Sequence, residues 1–276
     1  MYIVTISRLV GAYGDIIAAI VARRMALDLI GREELHETAQ SSDPDYRDAC
    51  SLYEKEHGPG FLERLFFDQP SYYSLFEALT YDLAARGNVL MVGRGAQIVL
   101  RDVPGVFTSR IVAPTSVRVT RIMGRYNFSR EEAEIFVQKY DHDRDNLIRS
   151  IFHKNINEWP LYDIIINTAH FTAAAASEIV IDAIDEIQKI PDPIALREKL
   201  TSMALAKRIE SQVRRKLTSP AAQDAVITSE LGGVIRLTGR VRSEQDKESV
   251  AKIASDYPGV TKVENELIVT GFSYGI

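Results

Sequence analysis

The stretch Ile3-Val-Thr-Ile-Ser-Arg-Leu-Val-Gly-Ala-Tyr-Gly-Asp-Ile-Ile-Ala18 decides the fold. Its first residues are mostly apolar and β-branched, which predicts a buried strand. Gly11 and Gly14 then mark a turn, and the apolar residues that follow have helical spacing. A strand that runs through a glycine turn into a helix is the layout of a phosphate-binding loop, in which backbone N–H groups and the helix dipole hold an anion.

The side chains of this loop depart from the pattern of a working P-loop, G-x-x-x-x-G-K-[ST]. Gly14 holds the second glycine position, but Leu9 replaces the first, Asp15 replaces the lysine, and Ile16 replaces the hydroxyl that reaches Mg²⁺. An acidic group at the mouth of such a site repels a polyphosphate. Arg8 either supplies the missing positive charge or pairs with Asp15 and closes the site, and the sequence leaves both alternatives open.

Composition indicates an ordinary globular protein. The chain has 276 residues, of which 46% are hydrophobic and 26% charged, enough for one large or two medium domains. The chain enters a strand pattern directly, and no apolar run reaches the ~20 residues of a membrane span, so we expect a cytoplasmic location. The single cysteine, Cys50, excludes an internal disulfide. No metal site is expected, because no metal-ligand spacing connects the five histidines, His36, His57, His142, His153 and His170.

Two prolines in Lys189-Ile-Pro-Asp-Pro-Ile194 predict a linker between two domains, 1–190 and 196–273. The charge divides at the same place. Residues 196–276 carry 13 Lys and Arg against 10 Asp and Glu, whereas residues 1–195 carry 20 against 28. The small positive excess of the second part does not predict nucleic-acid binding.

The first unit alternates short apolar runs with helical patterns. Continuous apolar strands predict a parallel sheet covered by helices on both faces, an α/β domain. The predicted strands are Ile3–Ile6, Val89–Val92, Ser109–Val112 and Ile164–Ile166. The predicted helices cover about 16–28, 61–86, 115–125, 129–153 and 172–189.

The sequence pattern of the second unit predicts a compact α+β domain with elements in the order αββαβ. A helix at 195–217 precedes two strands, at 225–230 and 233–239, that are joined through Gly232-Gly233. A helix at 243–256 and a last strand at 261–269 complete it.

Residues 1–190 resemble the cytidylate kinase-like branch of the P-loop nucleoside monophosphate kinases. Four stretches carry the resemblance in order: Ile6-Ser-Arg8 with Gly11 and Gly14; Val92-Gly-Arg-Gly-Ala96; Asp141-His-Asp-Arg-Asp145 with Arg149; and Tyr162-Asp-Ile-Ile-Ile-Asn-Thr168. Usual members of that branch also depart from the standard loop, with arginine in place of lysine. The resemblance implies a P-loop kinase fold.

The resemblance also implies roles for individual residues. The phosphate-binding loop comprises Arg8, Gly11, Ala12, Tyr13, Gly14 and Asp15. The acceptor-binding residues are Arg94, Arg144, Asp145 and Arg149, and Arg121 and Arg125 neutralise charge during transfer. An active member would use ATP and Mg²⁺ on a CMP-like acceptor. Structural ion pairs are the alternative for Arg94 and for the 141–149 segment, and for Arg118 we expect a solvated helix face.

Residues 200–270 resemble a BON domain. The stretches Gly232-Gly-Val-Ile-Arg-Leu-Thr-Gly239 and Tyr257-Pro-Gly-Val-Thr-Lys-Val-Glu-Asn265 carry this resemblance. It implies a non-catalytic module that contacts protein or anionic phospholipid. One helix of this unit has a basic stretch, Lys207, Arg208, Arg214, Arg215 and Lys216, which either faces an anionic surface or is simply solvated.

Two functional hypotheses follow for a bacterial-type protein. In the first, the chain transfers a phosphoryl group from a nucleoside triphosphate to a CMP-like nucleotide. In the second, a catalytically impaired kinase-like domain regulates or tethers through its BON module. Asp15 and Ile16 favour the second hypothesis, and the lid-like 141–149 segment favours the first. The sequence leaves a homo-oligomer open.

Overall fold

The computed structural model describes residues 1–31, 70–187, 192–217 and 224–270, together with Glu34 and Glu37. Cys50, His36, His57, positions 61–69 of one predicted helix and positions 189–191 of the predicted linker lie outside these residues. The strands of the first unit are β1 (Ile3–Arg8), β2 (Asp28–Ile30), β3 (Val89–Val92), β4 (Val106–Val112) and β5 (Ile164–Asn167). They form one parallel sheet of order β2-β3-β1-β4-β5.

Helices cover both faces of this sheet, which confirms the predicted α/β class. The helices are α1 (Gly14–Met25), α2 (Pro70–Arg86), α3 (Ala96–Val99), α4 (Thr115–Tyr126), α5 (Arg130–Phe152) and α6 (Ala173–Ile187). The buried residues of α1 and α6 form one core with the sheet, and those of α2 and α3 form another. The carboxyl ends of β1 and β3 lie beside each other, and this edge carries the candidate site.

Local structure differs from the sequence prediction at two strands. The helix predicted to reach residue 28 ends at Met25, because Ala26 adopts a left-handed conformation with φ 52°. The chain can then turn back, and β2, which was not predicted, pairs with β3. Strand β4 begins at Val106 instead of Ser109, because Phe107 is already part of the sheet and its side chain is fully buried.

The second unit has the predicted αββαβ order, with its last strand divided. Its elements are α7 (Pro193–Lys216), β6 (Ala225–Glu230), β7 (Val234–Val241), α8 (Glu244–Ser255), β8 (Lys262–Asn265) and β9 (Ile268–Val269). Strand β7 pairs antiparallel with β6 and parallel with β8 and β9. The division occurs where the Leu267 N–H donates to Asn265 Oδ1 at 3.2 Å and the Leu267 side chain enters the core.

Helix α7 runs antiparallel to α2 and belongs to both cores. Near its start, Arg197 donates to the Arg86 carbonyl at the end of α2, and near its end Arg214 donates to the Ser74 hydroxyl. Leu200 packs into the core of the first unit, and Ile209 packs into that of the second. The domain boundary at 190–196 stays a prediction, and α7 ties the second unit directly to α2.

Candidate active site

The loop between β1 and α1 is a tight turn over Arg8. Gly11 and Tyr13 have left-handed φ values of 75° and 68°, which glycine adopts readily and tyrosine rarely. A Cβ atom on Gly14 would lie 2.3 Å from the Arg8 Cβ, so only glycine fits there. No side chain caps the first turn of α1, whose leading N–H groups therefore keep the capacity to hold an anion.

Arg8 and Asp15 form an ion pair across this turn. Arg8 Nε lies 2.8 Å from Asp15 Oδ1. Asp15, which occupies the lysine position of a working P-loop, therefore binds Arg8. Of the two alternatives that the sequence left open for Arg8, the structure has the pairing. Asp15 remains largely exposed, at 62%, so the pair lies at the rim of the site.

The Gly93-Arg94-Gly95 turn closes the opposite side of Arg8. All three residues have left-handed φ values, 73°, 58° and 76°. A Cβ on Gly93 would lie 2.3 Å from the Arg8 Nη1, and one on Gly95 would lie 2.2 Å from the Phe152 ring. The two glycines therefore let the Arg8 guanidinium and α5 approach the end of β3, and they leave Arg94 beside the same opening.

A cavity of about 230 Å³ lies between these turns and α5, and we call it the arginine cavity. Three arginines contribute to its wall, and it includes two carboxylates. Its charged and polar side chains are Ser7, Arg8, Asp15, Arg94, Gln97, Tyr140, Asp143 and Arg144. In open α/β sheets ligands bind beyond the carboxyl ends of the strands, which is where this cavity lies.

Arg144 projects from α5 to the end of β1, where its Nη1 donates to the Arg8 carbonyl. Burial, followed by the positive charge of Arg8, lowers the pKa of Arg144 to about 9. Asp15 and Asp141 act in the opposite direction. The acidic groups nearby thus compensate the guanidinium charge only in part, and a bound anion would stabilise the charged form.

The other two acceptor residues implied by the resemblance pair with each other. Arg149 Nη2 lies 2.9 Å from Asp145 Oδ2, one helical turn away on α5. The second carboxylate oxygen, Asp145 Oδ1, is buried and accepts no hydrogen bond from any residue that the structure describes. Substrate contact by either residue stays a prediction.

Arg118 is buried, so the expectation of a solvated position is wrong. Its guanidinium makes two hydrogen bonds to the Asp141 carboxylate, at 3.0 and 2.7 Å, and a third to the Val10 carbonyl at 3.3 Å. Its Nε donates to the Ala113 carbonyl at 3.0 Å. Arg118 therefore fastens α5 to the glycine turn, and its helical spacing from the exposed Arg125 did not distinguish the two environments.

Arg121 is held at the outer side of the turn. It donates to the Gly11 carbonyl at 3.2 Å and to the Thr168 carbonyl at 2.7 Å, and its guanidinium stacks 3.7 Å from the centre of the Tyr13 ring. Arg121 and Arg125 both line a second cavity of about 620 Å³, on the α4 side of the loop, which Asp15 and Ile16 also line. A role for Arg121 or Arg125 in transfer stays a prediction.

The basic stretch of α7 is largely engaged within the chain. Lys207 Nζ lies 2.7 Å from Glu77 and 2.9 Å from Glu210, Arg208 pairs with Asp82, and Arg214 also pairs with Glu210. Burial opposes the charge of Lys207, but the two glutamates prevail and raise its pKa. These bases join α7 to α2, so the anionic surface that they meet is the first unit of the same chain.

Comparison with known proteins agrees with this geometry. The family profile described as cytidylate kinase-like matches residues 3–170, and the BON domain profile matches residues 205–271. The chain belongs to the cytidylate kinase-like family. A solved structure of an uncharacterised protein from Eubacterium ventriosum is similar to this chain at 20% identity and a TM-score of 0.50, over 67% of this chain and 99% of that one, which supports the fold alone.

Two curated cytidylate kinases are similar to part of this kinase-like chain. One, from Pyrococcus horikoshii, is 28% identical over 118 residues, which are 43% of this chain and 60% of that protein. The other, from Methanocaldococcus jannaschii, is 26% identical over 110 residues, which are 39% and 62%. The match spans about three fifths of each relative. In the part of the chain that the structure describes, none of the helices combines the length and the hydropathy of a membrane-spanning segment.

Proposed function

We propose that the kinase-like unit binds a CMP-type nucleoside monophosphate in the arginine cavity and that its altered P-loop impairs phosphoryl transfer. The observation that carries the binding is the convergence of Arg8, Arg94 and Arg144 on one cavity at the carboxyl end of the sheet. Guanidinium groups offer forked donors that match phosphate oxygens. The lowered pKa of Arg144 supports the same reading, because a bound phosphate dianion would compensate its charge.

The residues of the P-loop do not fit a Mg²⁺-triphosphate. Asp15, in the lysine position, places a carboxylate near the β/γ-phosphates, and Ile16 has no hydroxyl for the metal. No group of three or more His, Cys, Asp or Glu side chains in the described part of the chain could hold a metal ion. Asp15 and Ile16, in place of the lysine and the hydroxyl, are the observation on which we propose impaired catalysis.

Asp145 supports a nucleotide over a simple phosphate. The resemblance to cytidylate kinases implies that this residue holds the acceptor, and its buried Oδ1 has acceptor capacity unused by the described residues. A buried acceptor without a donor costs about 1–3 kcal/mol. Asp145 is not among the residues that line the arginine cavity, so a nucleotide would have to extend an N–H group beyond the cavity to remove that cost, and inorganic phosphate could not.

Calorimetric titration with CMP, dCMP and UMP tests the binding, and a coupled assay with ATP and Mg²⁺ tests the transfer. Arg144→Met removes the buried cation, and Arg130→Met is the matched control on the exposed start of the same helix. Losing a charged hydrogen bond to phosphate costs about 1.5–3 kcal/mol, so Arg144→Met should weaken CMP binding roughly 10- to 150-fold. Arg130→Met should leave it unchanged.

The outcomes separate the two parts of the proposal. Turnover above about 1 s⁻¹, the low end for typical enzymes, contradicts impaired catalysis and supports an active kinase. Absence of binding by every nucleotide, or equal binding by Arg144→Met, contradicts the arginine cavity as the nucleotide site.

The BON unit would then make the contact with another molecule, protein or anionic phospholipid, in a regulatory or tethering role. Co-sedimentation of the full chain with vesicles that contain anionic lipid, at low and high salt, tests the lipid contact. At least three of the five bases in the 207–216 stretch of α7 pair with acidic groups of the chain, so we expect weak lipid binding and favour a protein partner.

A further inference from the structure

Gln97 is a buried polar residue of the arginine cavity that no part of the proposed function uses. Its side chain is 1% exposed and lines the cavity together with Arg94 and Gly95. Its Oε1 accepts no hydrogen bond from the residues that the structure describes. Buried side-chain oxygens nearly always have a donor, so an orphan oxygen in a cavity wall indicates a donor that arrives with the ligand.

The helix that carries Gln97 is fixed in place. Helix α3 follows Gly95, whose φ of 76° sets its first turn. On its far side, the Tyr81 hydroxyl of α2 donates to the Val99 carbonyl at 3.2 Å. Burial, followed by the charge of Glu77, raises the pKa of Tyr81 to about 12, so this hydroxyl keeps its proton at neutral pH. The backbone of Gln97 is thus held in position at both ends of α3, as a selective contact with a ligand requires.

The chemistry of an amide oxygen restricts what Gln97 can contact. A phosphate dianion offers only acceptors, and it would repel Oε1. A ligand that satisfies both the arginines and Gln97 therefore carries an anionic end and, at a distance from it, an N–H or O–H donor. In a nucleoside monophosphate, the donors outside the phosphate are the sugar hydroxyls and the N–H groups of the base.

We propose that Gln97 is a specificity-determining residue whose Oε1 accepts a hydrogen bond from the exocyclic amino group of the bound base. The inference rests on the proposed function, since it assumes that the arginines hold the phosphate. It assigns the cavity an amino-bearing base such as cytosine in preference to a keto base such as uracil. A keto oxygen at the same place would face Oε1 as a second acceptor.

Titration of the full chain with CMP, UMP and ribose 5-phosphate tests this assignment. We expect wild type to bind CMP about tenfold more tightly than UMP, the value of one hydrogen bond. Gln97→Met, of similar volume, should reduce the CMP-to-UMP ratio to about one and leave ribose 5-phosphate affinity within about twofold.

Thermal unfolding of the unliganded protein provides the second readout. A structural role for Gln97 predicts that Gln97→Met lowers the melting temperature. Our assignment predicts an unchanged or higher one, because the substitution removes an unsatisfied buried oxygen.

Several outcomes would overturn the assignment. An unchanged CMP-to-UMP ratio in folded Gln97→Met means that Gln97 contacts water only. Equal weakening of ribose 5-phosphate and CMP in Gln97→Met means that the donor is a sugar hydroxyl. In both cases nucleotide binding itself stands. The proposed function fails separately, when wild type binds none of the three ligands or Arg144→Met binds them as wild type does.

Discussion

Replacing Asp15 with asparagine removes the carboxylate that holds Arg8 while keeping the size of the side chain. Arg8 Nε lies 2.8 Å from Asp15 Oδ1, and the two side chains are 22% and 62% exposed. Asp15 also lines the arginine cavity and the cavity on the α4 side of the loop. The substitution therefore removes one negative charge from the lining of both cavities by replacing a single oxygen atom.

The stability and binding effects of this change should differ in sign. Solvent-exposed ion pairs contribute about 0–1 kcal/mol, so Asp15→Asn should lower the free energy of unfolding by less than about 1 kcal/mol. Two like charges about 4 Å apart repel by about 1 kcal/mol in water and about 4 at an effective dielectric of ~20. For the largely exposed Asp15, a value of about 1–2 kcal/mol predicts CMP binding roughly tenfold tighter.

Urea denaturation and calorimetric titration measure the two quantities on the same samples. Glu134→Gln is the matched control, since it breaks the exposed Arg130–Glu134 pair, of 2.9 Å, outside both cavities. It should change stability as little as Asp15→Asn and leave CMP affinity unaltered. Asp15→Lys also supplies the missing base and should raise triphosphate affinity by about one to three decades. If neither Asp15 variant binds its ligand more tightly while folded, the loop is not an anion site.

Three further results are expected. Burial lowers the pKa of Arg144, and a bound phosphate favours the charged guanidinium, so any change of calorimetric CMP affinity at alkaline pH should be a fall as pH rises; a gain in affinity would contradict the contact. Asp141→Leu leaves the buried Arg118 charge unpaired and should lower the free energy of unfolding by about 3–5 kcal/mol, measured in urea; a loss below ~1 kcal/mol would mean that the pair is solvated. Fragment 196–276 should fold cooperatively by circular dichroism, as the core around Ile209 implies, and an unfolded fragment would refute the predicted boundary.

One strand of the first unit was predicted with both of its bounds, and it is buried along its whole length. Val89–Val92 was predicted with the bounds that the structure has, because all four residues are apolar and buried. The three-residue strand β2 was missed, since its exposed Asp28 and short length have no strand signature. Strand β2 forms because Ala26 adopts a left-handed backbone conformation, which cannot be predicted from the presence of an alanine in the sequence.

The arginines of α4 illustrate why the site was harder to predict than the fold. Arg118, Arg121 and Arg125 recur at helical spacing, and a helical pattern fixes only the angle at which a side chain leaves the axis. Their environments depend on position along the axis. Arg118 is covered by α5 and binds Asp141, whereas Arg125, two turns later, is exposed. Gln97 had even less signal, since one amide after a glycine turn has no periodicity to interpret.

Helix α7 bears on how a nucleotide and a BON partner could influence one another. Leu196, Leu200 and Ala204 are four residues apart and pack into the core that contains α2 and α3, while Ile209 and Val213 pack into the BON core. One continuous helix without a break therefore connects the two units, and its ion pairs to α2 oppose rotation about it. Since α2 also holds α3 through Tyr81, the BON unit is fixed to the wall of the arginine cavity that carries Gln97. A partner on the BON unit would thereby be held in a defined position relative to a nucleotide in the arginine cavity, which a flexible linker would not provide.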